Sequence, residues 1–351
     1  MRVFRINQRK FVKDINVLFI WDLPREVRKP LVEQFSNIPQ VNFLFAKDYS
    51  KNSQDLRDLL PEADVIVGWR PSSDLFEIAQ KVKLYINPGT GVQRIISIFQ
   101  EVNKTRKVVL VNGHGHAYPC AQHAVAMLLT LLNKVIPHHN WLANGQWRKN
   151  DNDAASIPLK SRKIGLLGYG AINSWVHRFL SGFKVDFSAI RKNWDKQTET
   201  PPTPLKEFLF PEFHEFLKEI DTLIIAAPLT THTEGMIKLE ELKILGPDGL
   251  VVNVGRGSII DEGSLYTALN ENIIAGAAID VLWNYSPQED SMGRKYPFSY
   301  PFQDLSNVVL SPHRAASPMK DFPWDEVIEN IKRMAEGRND FLNIVNLEEG
   351  Y

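Results

Sequence analysis

The sequence predicts an α/β protein of two domains, in which parallel sheets are covered by helices. Short apolar runs alternate with amphipathic segments along the whole chain, as expected for successive strand–helix–strand units. A chain of 351 residues is long enough for two separate cores. A glycine turn at residues 168–170 leads from one apolar run straight into a helical segment, which indicates a nucleotide-binding unit in the second part.

In the first part of the chain, five apolar runs predict strands at residues 17–21, 42–46, 64–68, 84–87 and 108–111. Helices are predicted near residues 25–35, 55–60 and 73–81, and a long helix should follow from residue 121 to residue 144. We expect Pro137 to kink or split this long helix, because proline cannot donate the interior hydrogen bond.

In the second part, strands are predicted at residues 163–167, 184–189, 222–226, 250–254, 275–281 and 308–311. A helix at residues 174–180 follows the glycine turn, and a final helix is expected at residues 321–336, ending at Gly337.

The composition bounds the function. Basic and acidic residues are balanced at 41 each, so no overall field favours nucleic acid or anionic membrane. The single cysteine, Cys120, excludes an internal disulfide framework and fits a reducing compartment. We expect Cys120 to be a small packed side chain and not a nucleophile. The N-terminus lacks the apolar stretch of a signal peptide, and the longest apolar run, residues 124–132, is too short for a bilayer. We therefore expect a soluble, cytoplasmic protein.

The glycine turn has the geometry of a dinucleotide site. Gly168 permits a tight turn, and Gly170 lets a pyrophosphate approach the backbone at the start of the next helix. The third glycine of the usual pattern is replaced by Asn173, which weakens the motif taken alone.

Two polar side chains follow buried strands. Arg256 lies in a Gly-Arg-Gly turn, where its planar guanidinium suits a carboxylate ligand, although a surface arginine is the simpler alternative. His313 follows the last strand and is a candidate acid/base, with a structural histidine as the alternative.

These three segments resemble the D-isomer-specific 2-hydroxyacid dehydrogenase family, which includes glyoxylate/hydroxypyruvate reductases, phosphoglycerate dehydrogenases and formate dehydrogenase. The resemblance covers most of the chain from residue 84 to residue 313. The other matching segments are residues 227–230, 235–237, 245–260 and 274–281, with weaker matches at residues 89–92 and 121–124.

The resemblance implies two Rossmann-like domains, one flavodoxin-like and one dinucleotide-binding, with a cleft between them. Residues 1–120 and 318–351 would form a discontinuous substrate-binding and catalytic domain, and residues 121–317 an NAD(P)-binding domain. The implied activity is hydride transfer between NAD(P)H and a 2-oxo acid, giving a D-2-hydroxy acid, with reduction as the favoured direction. A homodimer through the long helix is also implied; Trp141 and Trp147 suit such an arm, or equally an internal core.

The resemblance also assigns roles to residues. Arg256 would bind the substrate carboxylate and His313 would donate the proton, while the substrate would contact Gly89, Thr90, Gly91 and His116. No metal is implied, although His114, His116 and His123 lie near one another in sequence. The implied cofactor contacts are Gly168, Gly170, Ala171, Ile172, Ala189, Arg191, Lys192, Ala227, Pro228, Thr233, Val254, Gly255 and Asp280.

The second strand of the nucleotide unit indicates the cofactor. A carboxylate normally stands at its end and binds the ribose of NAD, but this position falls on Ala189, followed closely by Arg191 and Lys192. Two cations without a carboxylate favour the 2′-phosphate of NADP over NAD. A solvated Arg–Lys pair is the alternative.

One position departs from the family pattern. The glutamate that usually partners the catalytic histidine is replaced by Tyr285, in a long aromatic segment at residues 282–301 that either lines a pocket or packs on the domain. A tyrosine supplies no charge, so we expect a lower pKa for His313 than in relatives, unless a carboxylate such as Glu289 takes the role. Two alternatives stay open: a catalytically weak nucleotide sensor or scaffold, and an enzyme acting on another small anion such as formate.

Overall fold

The computed structural model describes residues 14–50, 53–148, 155–195, 200–316 and 323–351. The chain divides into two compact units, Met1–His116 with Asp321–Tyr351, and Ala117–Lys320. Each contains a parallel sheet with helices, which confirms the predicted α/β class. The predicted start of the final helix at Asp321 and the predicted boundary at residues 317–318 lie outside the described residues.

The first unit contains a five-stranded parallel sheet in the order β2-β1-β3-β4-β5, the flavodoxin-like arrangement. All five predicted strands are present, and one helix of this unit, at residues 96–102, was not predicted. The strands are β1 (Ile15–Phe19), β2 (Val41–Leu44), β3 (Val65–Val67), β4 (Leu84–Asn87) and β5 (Val109–Asn112). The helices are α1 (Arg25–Glu33), α2 (Gln54–Leu59), α3 (Leu75–Ile78), α4 (Ile96–Val102) and, from the end of the chain, α11 (Asp325–Ala335).

Apolar clusters cover both faces of the first sheet, which explains why its strands are continuous apolar runs. On one face α11 buries Val327 and Ile331 against β1, so the C-terminal helix contributes to the core of the first sheet.

The second unit contains a seven-stranded sheet in the order β12-β11-β10-β9-β6-β7-β8. All its pairings are parallel, and the order reverses direction between β6 and β9. The strands are β6 (Lys163–Leu167), β7 (Asp186–Arg191), β8 (Leu205–Leu209), β9 (Thr222–Ile225), β10 (Leu250–Asn253), β11 (Gly276–Ile279) and β12 (Val308–Leu310). The helices are α5 (Ala117–Leu132), α6 (Val135–Ala143), α7 (Ala171–Leu180), α8 (Phe213–Lys218), α9 (Leu239–Leu245) and α10 (Glu262–Asn270).

The predicted long helix is split, as Pro137 suggested. The break lies just before α6, where Lys134 adopts a left-handed conformation with φ of 49°. Pro137 then falls in the first turn of α6, where its missing amide costs little. None of the helices in the described part of the chain has the length and apolar character needed to cross a membrane.

Two strands are displaced by two residues from their predicted positions: β1, predicted at residues 17–21, is Ile15–Phe19, and β7 begins later than predicted. The strand placed at residues 184–189 is β7, Asp186–Arg191, because Lys184 takes a left-handed conformation and delays the strand by two residues. The edge strand β8 was not predicted, since most of its side chains are exposed and the apolar signal is weak.

Candidate active site

The carboxyl ends of six neighbouring strands form one edge of the second sheet. Because the strands are parallel, the residues that follow β7, β6, β9, β10, β11 and β12 lie in a row along this edge. The row runs from Arg191 at β7 to His313 beyond β12, with the glycine turn at the reversal of strand order. An open α/β sheet places ligands at such a reversal.

The glycine turn fits a dinucleotide pyrophosphate. Gly168 has φ of 83°, and a Cβ there would lie 2.8 Å from the Cα of Ala227, so only glycine suits the position. Gly170 immediately precedes α7, and open space surrounds the place where its side chain would be. The first-turn amides of Ala171 and Ile172 have no acceptor within the helix, which makes this end of α7 an anion site.

Asn173 fits the motif by a different interaction from glycine. Its side chain is fully buried, and Nδ2 donates to the carbonyl oxygens of Leu167 (3.2 Å) and Gly168 (2.9 Å). The amide therefore ties α7 to the strand and the turn, so the departure from the usual third glycine is accommodated.

The end of the row at β7, where the adenosine of a dinucleotide would lie, carries a guanidinium. Ala189 is fully buried inside β7, paired with Leu166, and does not stand at the strand end as predicted. The strand ends at Arg191, whose guanidinium lies 5.4 Å from the ring centroid of Trp194, and the exposed Lys192 follows. Because β7 ends two residues later than predicted, Arg191 and not Ala189 stands at the strand end. The guanidinium of Arg191 suits a phosphate.

The loop after β9 is shaped by its own side chains. Thr233 is buried, and its hydroxyl donates to the carbonyl of Pro228 at 2.7 Å and accepts from the amide of Thr230 at 2.8 Å. Val254 and Gly255 follow β10 beside this loop, with a Cβ at Gly255 falling 2.9 Å from the carbonyl oxygen of Ala227. The predicted cofactor contacts of these residues stay predictions.

Arg256 is held by a buried asparagine that was not singled out from the sequence. At the end of β10, Asn253 accepts from the amide of Gly255 (3.0 Å) and donates to the carbonyl of Arg256 (3.0 Å). A Cβ at Gly257 would lie 2.4 Å from the carbonyl oxygen of Leu282, so the turn is closely packed on both sides. The half-buried Arg256 donates from Nη1 to the carbonyl of Gly255 at 2.6 Å.

Asp280 builds the turn that carries His313. The carboxylate is 1% exposed and accepts from the hydroxyl of Ser311 and from the amides of Arg314 (2.7 Å) and Ala315 (3.1 Å). The amide of His313 donates to the Asp280 carbonyl at 2.8 Å, and His313 takes the left-handed conformation with φ of 57°. The structure thus gives Asp280 a positioning role; its predicted contact with the cofactor stays a prediction.

Tyr285 contacts the histidine directly. Its Oη lies 2.7 Å from Nδ1 of His313, so Nε2 is the nitrogen left for a substrate. The alternative carboxylate, Glu289, forms an exposed ion pair with Lys295 at 2.9 Å. In the described structure, the hydrogen-bond partner of the His313 ring is therefore a neutral hydroxyl.

Three of the five aromatic side chains of the 282–301 segment pack on other rings of the unit, as one of the two predicted alternatives required. Trp283 donates to the carbonyl of Ile260 at 2.8 Å and stacks on Phe302, Phe298 packs edge-to-face on the same ring, and Tyr300 stacks on Tyr266.

The electrostatics connect Arg256, His313 and Asp280. Although His313 keeps part of its surface exposed, desolvation by neighbouring atoms lowers its pKa; the positive charge of Arg256 acts in the same direction, and Asp280 opposes both. Burial and the Asp280 carboxylate raise the pKa of the Cys120 thiol to about 11, which leaves it protonated at neutral pH. Cys120 therefore suits packing and not nucleophilic attack.

The predicted substrate residues Gly89, Thr90 and Gly91 lie at the carboxyl edge of the first sheet. Asn87, the last residue of β4, donates to the carbonyl of Gly89, and Asn112, the last residue of β5, donates to that of Thr90 at 2.8 Å. The Thr90 hydroxyl donates to the carbonyl of Gly113 at 3.0 Å. Two buried asparagines thus hold the loop, and neither was predicted from the sequence.

His116 and His114 follow in the loop after β5. Both are half-buried, and burial lowers the pKa of each, with the negative charge of Glu326 opposing. Glu326 accepts from the amide of His114 and from Nδ2 of Asn343 (3.0 Å). His123 belongs to the second unit, where Nε2 lies 3.0 Å from the Ser311 hydroxyl. Across the described ranges, no three His, Cys, Asp or Glu side chains are arranged to hold a metal ion.

Comparisons with known proteins agree with this arrangement. The family model "D-isomer specific 2-hydroxyacid dehydrogenase, NAD binding domain" matches residues 125–315. A glyoxylate reductase from Pyrococcus furiosus is 30% identical over 255 residues, which cover 70% of this chain and 69% of the relative. A glyoxylate/hydroxypyruvate reductase from Arabidopsis thaliana is 28% identical over 61% of each chain.

Solved structures share the fold. An NADPH-dependent glyoxylate/hydroxypyruvate reductase from Sinorhizobium meliloti, in complex with NADP and malonate, has a TM-score of 0.70 at 23% identity and covers 96% of this chain and 98% of that chain. A D-isomer specific 2-hydroxyacid dehydrogenase from Xanthobacter autotrophicus, in complex with NADPH, has a TM-score of 0.75 at 20% identity, with 96% and 100% covered.

Proposed function

Because the chain belongs to the D-isomer specific 2-hydroxyacid dehydrogenase family, we propose that it is an NADP(H)-dependent reductase that converts a 2-oxo acid into a D-2-hydroxy acid. The observation that carries this proposal is the placement of Arg256 and the Tyr285–His313 pair on the same sheet edge as the glycine turn. The nicotinamide cofactor, when bound, supplies the hydride.

Arg256 is the proposed ligand of the substrate carboxylate. Its guanidinium gives two parallel donors, and its positive charge also polarises the neighbouring carbonyl of the 2-oxo acid. In the first unit, the backbone of Thr90 and Gly91 is proposed to orient the same substrate, held in place by Asn87 and Asn112. His116 is proposed as a further substrate contact.

His313 is the proposed proton donor. As an imidazolium, it directs Nδ1–H to the Tyr285 hydroxyl and Nε2–H to the carbonyl oxygen, which becomes an alkoxide as hydride arrives. The Nε2 proton passes to this oxygen, and neutral His313 keeps its Nδ1 hydrogen bond. Tyr285 thereby orients the ring without a charge.

The preference for NADP(H) is supported by the guanidinium at the end of β7. Arg191 occupies the strand end at which NAD enzymes carry a ribose-binding carboxylate. Lys192 adds a second cation beside it, and the Sinorhizobium reductase of similar fold is NADPH-dependent. NADPH is typical of the reductive direction, so we also propose reduction.

Arg256→Ala tests the proposal. It should lower kcat/KM by about 100-fold, because a lost charge-assisted interaction with a buried carboxylate is worth about 3 kcal/mol. Arg294→Ala is the matched control, since Arg294 pairs with Asp290 in the exposed 282–301 segment. An unchanged kcat/KM in Arg256→Ala would remove the central assignment.

The two alternatives predict other results. A sensor or scaffold would bind NADPH in calorimetry, but no 2-oxo acid would cause it to oxidise the bound NADPH. An enzyme for another small anion would reduce NADP⁺ with formate.

A homodimer stays a proposal, and the exposed apolar surface of α6 and the residues after it supports it. Leu142 is 60% exposed and Trp147 is 76% exposed, with Val135 and Ile136 also exposed on α6. Leu142→Glu should shift the mass measured by light scattering from dimer to monomer. The cytoplasmic location stays a prediction.

A further inference from the structure

Three tryptophans form a cluster at the carboxyl edge of the first sheet. Trp21 follows β1, Trp69 follows β3, and Trp324 immediately precedes α11. The ring centroids of Trp21 and Trp69 are 6.3 Å apart in an edge-to-face pair, and those of Trp21 and Trp324 are 6.4 Å apart and stacked. Trp69 is 40% exposed, and the other two are half-buried. The cluster thus presents an apolar indole surface backed by two further rings.

The cluster lies where the sheet topology favours a ligand. In the order β2-β1-β3-β4-β5 the chain reverses direction between β1 and β3, and Trp21 and Trp69 stand at the ends of these two strands. The crevice at such a reversal is the usual ligand site of an open parallel sheet. A large exposed indole in that crevice is typical of a binding surface.

Trp69 also packs against the predicted carboxylate-binding loop. A Cβ at Gly89 would lie 2.5 Å from Cζ3 of the Trp69 ring, so the indole covers the backbone of that residue. Gly89 immediately precedes Thr90 and Gly91. A substrate whose carboxylate is held by the Thr90–Gly91 backbone therefore has its C3 substituent within reach of the indole.

We propose that Trp69, supported by Trp21 and Trp324, is the side-chain specificity site, and that the substrates are 2-oxo acids with an apolar branched or aromatic side chain. The inference rests on the proposed function and specifies its substrate class. Each methylene removed from water improves binding by about fourfold. A 2-oxo acid with an isobutyl or benzyl group therefore binds more tightly against the indole than glyoxylate, which has no side chain to bury. The hydroxyl of hydroxypyruvate would lose water there without gaining a hydrogen bond from the indole face.

The test compares kcat/KM for 4-methyl-2-oxopentanoate, phenylpyruvate, glyoxylate, hydroxypyruvate and oxaloacetate with NADPH. The full-length protein should prefer the two apolar acids over glyoxylate by about 30-fold or more, as several buried methylenes imply. Trp69→Ala should reduce that preference by about tenfold, with glyoxylate changed less than threefold. Phe183→Ala is the control: it removes an aromatic ring that is 40% exposed, as Trp69 is, before the amino end of β7, and it should leave the substrate preference unchanged.

Several results would overturn the inference. Glyoxylate could be the best substrate, or Trp69→Ala could increase activity on the larger acids, which would make the indole a barrier. A preference for oxaloacetate would assign the site to a dicarboxylate recognised by the exposed Arg70. The melting temperature and the NADPH dissociation constant report whether Trp69→Ala folds, and Trp69→Leu, which keeps an apolar side chain, gives an intermediate preference if the inference holds. NADPH oxidation by none of the acids would instead refute the proposed function.

Discussion

Replacing Tyr285 by glutamate should move the pH dependence of reduction. The family resemblance places a glutamate at this position, whereas the structure places a tyrosine hydroxyl 2.7 Å from Nδ1 of His313. A carboxylate within a few ångströms of an imidazole raises its pKa by about 1–3 units. Because Tyr285 is 43% exposed and water screens the pair, we expect a shift near the lower end, about 1 unit.

The sign follows from the protonation state that reduction needs. Only imidazolium donates the proton, so kcat/KM falls as the pH rises through the pKa of His313. In the native protein, desolvation and Arg256 lower that pKa, which places the fall at lower pH than for an unperturbed histidine. Tyr285→Glu should move the fall upward by about 1 unit, making the variant about tenfold faster than the native protein well above that pH.

The assay is a steady-state profile of kcat/KM for NADPH-dependent reduction from acid to alkaline pH. Tyr285→Phe removes the hydrogen bond without adding charge, so it should lower the rate by about 3- to 10-fold and not move the fall upward. Met292→Glu adds a charge to an exposed position in the same segment and is the control. Coincident falling limbs for the native protein and Tyr285→Glu would refute the role given to this pair.

Three further predictions concern neighbouring groups. Asp280→Asn keeps one acceptor oxygen and replaces the other by an NH2 donor, so the Arg314 and Ala315 amides can no longer both be satisfied. We expect kcat to fall at least about tenfold, while the NADPH dissociation constant from fluorescence titration stays nearly unchanged. Arg191→Ala should lower kcat/KM for NADPH by about tenfold or more and leave that for NADH nearly unchanged, as measured with one 2-oxo acid. His177 is fully buried, and burial lowers its pKa to about 4, so the folded state resists a proton that the unfolded chain accepts. The native protein should therefore lose up to about 3 kcal/mol of stability between pH 6.5 and pH 4, and urea unfolding of His177→Gln should lack this part of the loss.

The sequence was informative wherever a buried parallel strand delivers a side chain to the edge of a sheet. Gly168, Arg256 and His313 each follow a continuous apolar run, and parallel strands place such residues along one edge. The predicted end of the second strand of the nucleotide unit was wrong for a local reason. The left-handed Lys184 displaced β7 by two residues, so Ala189 is buried within the strand.

Side chains that hold the site were harder to predict because their partners come from distant parts of the chain. Asn253 carried a usable signal, since an asparagine side chain commonly accepts from the backbone amide two residues later, here that of Gly255. Asp280 gave no comparable signal, because its acceptors are satisfied by amides more than thirty residues later. The tryptophan cluster requires the strand order itself, which brings Trp21 beside Trp69, and the return of the chain end, which adds Trp324.

The stoichiometry and configuration of the product would show whether the protein is an NADPH-dependent D-2-hydroxyacid-forming reductase. The purified protein is supplied with limiting NADPH and an excess of each 2-oxo acid, and chiral chromatography separates the 2-hydroxy acids formed. We expect one D-2-hydroxy acid for each NADPH consumed, with NADH used more slowly. Binding of NADPH without any hydroxy acid, or formation of the L-enantiomer, would contradict it.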